Sequence, residues 1–292
     1  MRRVTLAALL LLATVPVAPA AVAETVLAGH PVTAGLAQAL TRGTPVTVEA
    51  VVPPTIPMGR QHSFLGGRGE ARFVEAARKA DAVLTLRSVW AEDPLYPLAR
   101  RANIRLVEID AARPVDGALP GIALREGAAF PWLGIANAGR MADILAADLR
   151  RLYPASAAAI DANLATVKRG LLTLSSKAAR TFAAVPDPSV AALSDRFAML
   201  AADLGLDLRK VWTRDDRDWT PERLAELTAV LKAEGIPVVL HHRQPAPEIV
   251  QAVTDGGARL IVLDSLESGP PAAIDIALAR IAEQLEAGLL GN

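Results

Sequence analysis

The stretch ASAAAIDANLATVKRGLLTLSSKAARTFAAV, residues Ala155–Val185, contains one glycine and no proline and is rich in alanine, leucine, lysine and arginine. These residue types favour helix, so the stretch predicts a helix of about 30 residues, roughly 45 Å long at a rise of 1.5 Å per residue. That is more than twice the length of an ordinary helix. We expect one helix that joins two domains as a rigid strut; the alternative is two shorter helices broken near Gly170.

Short apolar runs alternate with amphipathic helical stretches on both sides of this helix. The strand-like runs are Thr25–Gly29, Val46–Val52, Ala82–Leu86 and Ile104–Ile109 before it, and Ser189–Leu193, Leu208–Thr213, Ile236–Leu240 and Arg259–Leu263 after it. Strands that are apolar on both faces and separated by helices indicate a parallel sheet covered on each side. The sequence therefore predicts an α/β protein with two lobes, each a roughly four-stranded parallel sheet flanked by helices. The expected divisions are a first lobe at 24–153, a linking helix at 154–185 and a second lobe at 186–292.

The first 23 residues are typical of a cleavable signal peptide. Arg2 and Arg3 supply a positive start, Val4–Ala13 supplies an apolar core, and Ala21-Val22-Ala23 is a small-x-small cleavage site. The apolar core is too short for a membrane-spanning helix, which needs about 20 residues. Because no cysteine stands at the cleavage point, we expect a protein of the periplasm that is exported through a signal peptide and is not a lipoprotein.

Composition excludes several classes of protein. The chain of 292 residues is 52% hydrophobic, which is far too apolar for a disordered protein. It has no cysteine, so disulfide frameworks and thiolate-bound zinc or iron–sulfur sites are ruled out. Its 31 basic and 31 acidic side chains balance, so we predict no nucleic-acid partner. An enzyme is poorly supported, because the chain has neither a Gly-x-Ser-x-Gly elbow nor a complete dinucleotide-binding glycine motif.

All four histidines lie at or near the ends of predicted strands. His30 follows the first strand, His62 lies in the loop after the second, and His241 and His242 follow the seventh. Asp264 closes the eighth strand. Ligands bind outside the carboxyl ends of parallel strands, and imidazole and carboxylate groups suit a divalent cation when thiolates are absent. His241 and His242 should point to opposite faces if the strand continues through them, so we expect at most one of the two in the cleft.

Several stretches resemble, in the same order, the solute-binding proteins of zinc and manganese ABC transporters, over nearly the whole chain after the signal peptide. The stretches are Arg60–Phe64, Ala71–Val83, Phe130–Leu133 with Asn137 and Met141, Tyr153-Pro154 with Asn163, Ser194–Phe197 with Gly205-Leu206, Gly235–Val239 and Gly257–Asp264. The resemblance implies two α/β lobes joined by one long helix, with a metal ion bound in the cleft between them. It also implies a monomer whose partners are the permease and ATPase subunits of an importer.

The resemblance is incomplete at the metal site, where the family uses three histidines and one carboxylate. His62 and Asp264 match two of these ligands, whereas Phe130 and Ser194 stand at the positions of the second and third histidines. His242 stands where the family has a glutamate that faces the cleft. The histidine-rich loop of many zinc-specific members is missing, since residues 113–129 contain no histidine.

Three hypotheses follow from this ligand set. In the first, the site is rebuilt around one divalent ion of the zinc or manganese class by His62, Asp264, His242 and His30. In the second, the cleft holds a metal complex or a small organic ligand against aromatic side chains, namely Phe130, Trp132, Trp90 and Trp219. In the third, binding has been lost and the chain is a partner or regulatory subunit. The resemblance favours a periplasmic solute-binding component of an ABC importer, for a divalent metal ion or a metal complex.

Overall fold

Two parallel sheets and ten α-helices make up the computed structural model, which describes residues 24–117, 119–126 and 128–290. The predicted signal peptide, residues 1–23, lies outside this part of the chain. The first lobe contains β1 (Thr25–Ala28), α1 (Pro31–Leu40), β2 (Thr47–Ala50), α2 (Gln61–Leu65), α3 (Glu70–Lys79), β3 (Ala82–Thr85), α4 (Leu95–Ala102), β4 (Val107–Asp110) and α5 (Ile135–Leu152). The linking helix α6 (Ala157–Ala183) leads to β5 (Ser189–Ala192), α7 (Ala198–Asp203), β6 (Asp207–Val211), α8 (Pro221–Glu234), β7 (Val238–His241), α9 (Pro247–Asp255), β8 (Arg259–Val262) and α10 (Ile274–Leu290). None of the described helices is long and apolar enough to cross a membrane.

Both sheets have the same parallel strand order, β2-β1-β3-β4 in the first lobe and β6-β5-β7-β8 in the second. The central strands are buried at nearly every residue, while the outer strands carry exposed positions because one edge of each faces solvent. The predicted fold class and all eight strands are confirmed. The strand order reverses between β1 and β3 in the first sheet and between β5 and β7 in the second, although all strands stay parallel. Such reversal points are where open α/β sheets bind ligands, at the carboxyl ends of the strands.

The linking helix is continuous. A 3-10 turn at Pro154–Ser156 precedes the 27 residues of α6, which span about 40 Å. Gly170 does not break the helix; α10 packs against it so closely that a Cβ there would overlap the carboxylate of Asp275. The prediction of one long helix is therefore confirmed, and the alternative of two shorter helices is wrong.

One apolar core runs through both lobes and along the linking helix. It contains buried side chains from the central strands and from α1, α5, α6 and α10, among them Leu36, Met141, Leu171, Leu240 and Leu278. Two smaller cores lie under the remaining faces of the two sheets. Because both lobes share the main core, large rigid-body movements between them would expose apolar side chains, and we expect only small rocking motions.

Candidate functional site

The carboxyl ends of the two sheets meet at a seam between the lobes, which direct contacts hold closed. The indole Nε1–H of Trp132 donates to the carbonyl oxygen of Ser265 at 3.0 Å. The backbone N–H of Gly269 donates to the carbonyl oxygen of Pro54 at 2.9 Å. Both contacts join the first lobe to the loop that follows β8. We call this region the interlobe seam; it contains the ends of both sheets, so it is the candidate site.

His30 begins α1 at the first-lobe side of the seam and is almost fully buried. Its Nδ1 accepts a hydrogen bond from the backbone N–H of Val32 at 3.2 Å, and its ring meets the indole of Trp132 edge-on at 4.8 Å. Burial lowers the pKa of His30 to about 3, so the ring is neutral at pH 7. A neutral ring whose Nδ1 accepts carries its proton on Nε2. In this arrangement Nε2, which has no hydrogen-bond partner, is a donor and offers no lone pair to a metal.

His62 lies on α2 rather than in a loop, and its side chain is exposed. Its neighbour Gln61 points inward, is 1% exposed and has an amide oxygen without a hydrogen-bond partner. His30, Gln61 and Gly269 line a small cavity of about 10 Å³ between the lobes. That space suits about one water molecule, so it is too small for a hydrated ion or an organic ligand.

Phe130 and Trp132 fill the seam where the resemblance places the second histidine. Their rings meet edge-on at 4.8 Å, and the guanidinium of Arg196 lies over the ring of Phe130 at 4.5 Å from its centroid. Arg196 also donates from Nε to the carboxylate of Glu267 at 2.8 Å. The hydroxyl of Ser265 donates to the same carboxylate oxygen at 3.2 Å. A cation–π contact and an ion pair thus hold a positive charge at the seam.

Three side chains at the ends of β5 and β7 have polar atoms without partners. They are the Oγ of Ser194, the Nδ1 of His241 and the Nδ1 of His242. Burial and then the charge of Arg243 lower the pKa of His241 to about 4; burial and then the charge of Arg196 lower the pKa of His242 to about 3. The two imidazole rings meet edge-on at 4.6 Å. The strand does not continue through both histidines, because β7 ends at His241 and the chain turns there, so the condition for their pointing to opposite faces is not met.

Asp264 lies just beyond β8 and is exposed. Its Oδ1 accepts from the backbone N–H of Leu266 at 2.8 Å. Leu266 has φ of 56°, in the left-handed region that favours glycine, so the aspartate stabilises a strained turn. This turn brings Ser265 and Glu267 to the seam.

The predicted ligands His62, Asp264, His242 and His30 do not form a metal centre in the described conformation. Within residues 24–117, 119–126 and 128–290, no group of three or more histidine, aspartate or glutamate side chains lies close enough to hold an ion. The four-ligand site remains a prediction, and it requires movements that bring His62 and Asp264 inward. Phe130 lies beneath the guanidinium of Arg196, and Ser194 is buried just beyond β5.

Two of the four aromatic residues considered for the cleft, Trp219 and Trp90, pack against apolar cores. Trp219 is 8% exposed and packs in the outer core of the second lobe with Leu227 and Leu231. Trp90 is half-buried against the main core. Sequence reasoning missed Arg196, Gln61 and Glu267 as seam residues. The only signal was the placement of Arg196 two residues beyond Ser194, at a strand end.

The fold matches solved structures of metal-binding proteins at low sequence identity. A structure of an FpvC mutant from Pseudomonas aeruginosa superposes with a TM-score of 0.74 at 18% identity, covering 92% of this chain and 100% of that chain. ZnuA superposes with a TM-score of 0.70 at 20% identity, covering 91% and 99%. The metal-dependent lipoprotein YcdH from Bacillus subtilis superposes with a TM-score of 0.72 at 17% identity, covering 91% and 99%. At these identities the likeness establishes the fold alone.

A search among curated protein sequences finds no match. A family model does match: the one described as ZnuA, zinc-uptake complex component A, periplasmic, aligns with residues 26–279. The aligned region contains both sheets, the linking helix and the interlobe seam. The chain therefore belongs to the ZnuA family of periplasmic zinc-uptake components, a family of solute-binding proteins.

Proposed function

We propose that this protein is the solute-binding component of an ABC importer and carries a divalent metal of the zinc or manganese class, or a complex of such a metal, at the interlobe seam. It would be exported through the signal peptide at residues 1–23, without a lipid anchor, and would act as a monomer. It would deliver its cargo to permease and ATPase subunits. Binding and delivery, rather than catalysis, are its role.

The observation that carries the proposal is the alignment of the family model with both lobes, together with the ends of both sheets meeting at one seam. Polar atoms without partners lie on each side of that seam, in Gln61 and His30 on one side and in Ser194, His241 and His242 on the other. Buried polar atoms without partners are costly, and a bound ligand is one way in which they are satisfied.

Similar structures that contain a metal ion support metal as the cargo class. FpvC from Pseudomonas aeruginosa is described in complex with Mn²⁺ and with Ni²⁺, and a ZnuA deletion mutant is described with zinc bound. These ions are bound by those proteins. The proposed ligands for a bare ion in this chain are His62, Asp264, His242 and His30; His30 would bind only after it gives up the hydrogen bond from the Val32 N–H and moves its proton to Nδ1. Changing any of these four residues to alanine should then weaken zinc binding.

Elemental analysis of the protein isolated from its own periplasm tests the cargo class. We expect about one equivalent of a transition metal per chain, bound directly or as a complex. A matched uptake assay should show that cells lacking the gene take up less of that metal, and that the gene supplied in trans restores uptake. Protein free of metal, combined with unchanged uptake, would contradict the proposal.

A further inference from the structure

The second lobe carries a row of unsatisfied polar atoms at the ends of three adjacent strands. Ser194 follows β5, Arg214 follows β6, and His241 and His242 end or follow β7; each has a buried polar atom without a hydrogen-bond partner. Ser194 is 5% exposed and His241 is 3% exposed. The pairing of β5 with β7 places Ser194 next to the end of β7, whereas the guanidinium of Arg214 lies over the ring of Trp219 in the outer core. We call Ser194, His241, His242 and Arg196 the donor row.

Nearby carboxylates are already engaged, so they leave the donor row without acceptors. Glu267 accepts from Arg196 at 2.8 Å and from the hydroxyl of Ser265 at 3.2 Å. Asp216 accepts from Arg243 at 3.1 Å. The Oδ1 of Asp264 accepts from a backbone N–H within its own turn. The atoms of the row that remain unsatisfied are the hydroxyl of Ser194 and the Nδ1 atoms of His241 and His242. The hydroxyl can donate a hydrogen bond, and each Nδ1 can donate when it carries the ring proton.

The charge at the row disfavours a bare cation. Arg196 is about four-fifths buried and lies over the ring of Phe130 at the seam, with Glu267 at 2.8 Å and Asp195 at 4.0 Å as its ion-pair partners. A divalent ion placed against the guanidinium would be repelled by its positive charge. Carboxylate or hydroxamate oxygens of a chelator would instead accept hydrogen bonds from the same groups, and charged acceptors make the stronger bonds.

We propose that the donor row binds the oxygen-rich, anionic face of a chelated metal after the lobes rock apart, because the closed seam has no room for such a complex. The cargo is then a metal complex rather than a bare ion. This inference rests on the proposed function and names its substrate class. The row supplies the recognition of the chelator: Ser194, His241 and His242 donate from the ends of β5 and β7, and Arg196 provides the positive charge. Phe130, in place of a histidine, provides an apolar wall on which Arg196 packs.

Calorimetric titration of the exported protein, freed of metal with a neutral chelator, tests this proposal. The probes are zinc chloride, citrate, gallium(III)–citrate and cobalt(III)–EDTA; the last exchanges its metal too slowly to deliver a bare ion. We expect one of the two anionic complexes to bind with a Kd below about 10 μM, at least tenfold more tightly than zinc chloride or citrate alone. Neither complex binding, or zinc binding more tightly than both, would overturn the proposal.

Two substitutions with opposite expected signs make the test sharper. Arg196→Gln should weaken binding of the complex by about tenfold to a hundredfold, because it removes a charged hydrogen-bond donor. Glu267→Gln should strengthen it, because the carboxylate that neutralises Arg196 is lost. If the site bound a bare ion, Arg196→Gln would strengthen zinc binding and Glu267→Gln would weaken it. The control is Arg217→Gln, which removes an exposed arginine that pairs only with Asp215 in the same loop and should leave binding unchanged.

Failure of this inference and failure of the proposed function give different results. If the protein carries metal from its own periplasm but binds neither complex, the inference is wrong and the importer function stands. If it carries no metal and binds neither zinc chloride nor the complexes, both are wrong. Thermal unfolding of each variant shows whether a lost affinity reflects a lost fold.

Discussion

The two lobes have the same sheet, yet the carboxyl ends of their strands use polar side chains differently, although His30 and Gln61 in the first lobe also have atoms without partners. In the first lobe, Asp93 accepts from the backbone N–H groups of Leu86 and Leu95, and Asp110 accepts from those of Ser88 and Ala112. His30 likewise caps α1. In the second lobe, the hydroxyl or imidazole groups of the residues that follow β5 and β7 have atoms without partners.

From this difference we expect polar groups of the first lobe to stabilise the fold and those of the second lobe to bind the cargo. Polar groups in the first lobe are mostly used to hold their own loops, so substitutions there should lower the stability of the fold. Polar groups in the second lobe are left unsatisfied at some cost to stability, and a bound ligand would offset that cost. Substitutions in the second lobe should therefore weaken cargo binding while changing stability little. The predictions below test that division, from the largest expected effect to the smallest.

Trp132→Ala should produce the largest loss of stability, about 3–5 kcal/mol, because a fully buried indole at the seam is removed and a cavity remains. Urea unfolding followed by circular dichroism measures it. Trp132→Phe is the matched control: it keeps a ring and loses the hydrogen bond to Ser265, so its cost should be smaller. A loss below about 1 kcal/mol for Trp132→Ala would mean that the seam contributes little to the fold.

Stability should fall as the pH is lowered from about 6.5 towards 3, with His30 as one cause. Its pKa in the folded state is about 3, so between these values the unfolded chain binds a proton that the folded chain does not. The contribution is at most about 1.4 kcal/mol per pH unit within that window and vanishes above it. His30→Asn keeps a side chain able to cap α1 and does not titrate. Urea unfolding at pH 7 and pH 5 should show a smaller pH dependence for the variant; equal dependence would contradict the assignment.

Asp264→Ala should lower stability by about 1 kcal/mol, because the turn at Leu266 loses the bond that holds its left-handed backbone. Asp264→Asn keeps an acceptor oxygen and should remain close to the parent in chemical unfolding. The same two variants distinguish a role of Asp264 in the turn from a role as a metal ligand. If Asp264 binds a bare ion, the asparagine variant loses zinc affinity without losing stability.

Ser194→Ala should change stability by no more than about 0.5 kcal/mol, because the buried hydroxyl that it removes makes no hydrogen bond. Ser156→Ala is the matched control, since Ser156 is also buried without a partner for its hydroxyl but lies at the start of the linking helix. Both variants should unfold like the parent. Only Ser194→Ala should weaken binding of an anionic metal complex, and equal binding by both would place Ser194 outside the site.

The fold could be predicted because its signals are local. The central strands β1, β3, β5 and β7 are short apolar runs, and the linking helix is marked by its own composition over about 30 residues. Gly170 illustrates the limit of local reasoning. The glycine does not break α6; its missing side chain lets α10 pack closely against the helix. That approach depends on Asp275, which is distant in the sequence.

The site was harder to predict, because its geometry depends on contacts between residues that are far apart in the sequence. Trp132 and Ser265 are 133 residues apart, and Arg196 and Glu267 are 71 residues apart. Histidine positions alone correctly indicated the sheet ends, where His30, His241 and His242 lie. They gave no indication that His62 is exposed on α2, or that an arginine lies over the aromatic ring that replaces a family histidine.

The most direct test of the division between the lobes uses the four histidines as reporters, since two belong to each lobe. NMR spectra of protein labelled with ¹⁵N in histidine should be recorded while cobalt(III)–EDTA or gallium(III)–citrate is added. Both complexes are diamagnetic, so shifts report contact. We predict that the side-chain signals of His241 and His242 move while those of His30 and His62 stay in place. Movement of His62 with His241 and His242 unchanged would contradict the conclusion that the second lobe recognises the cargo.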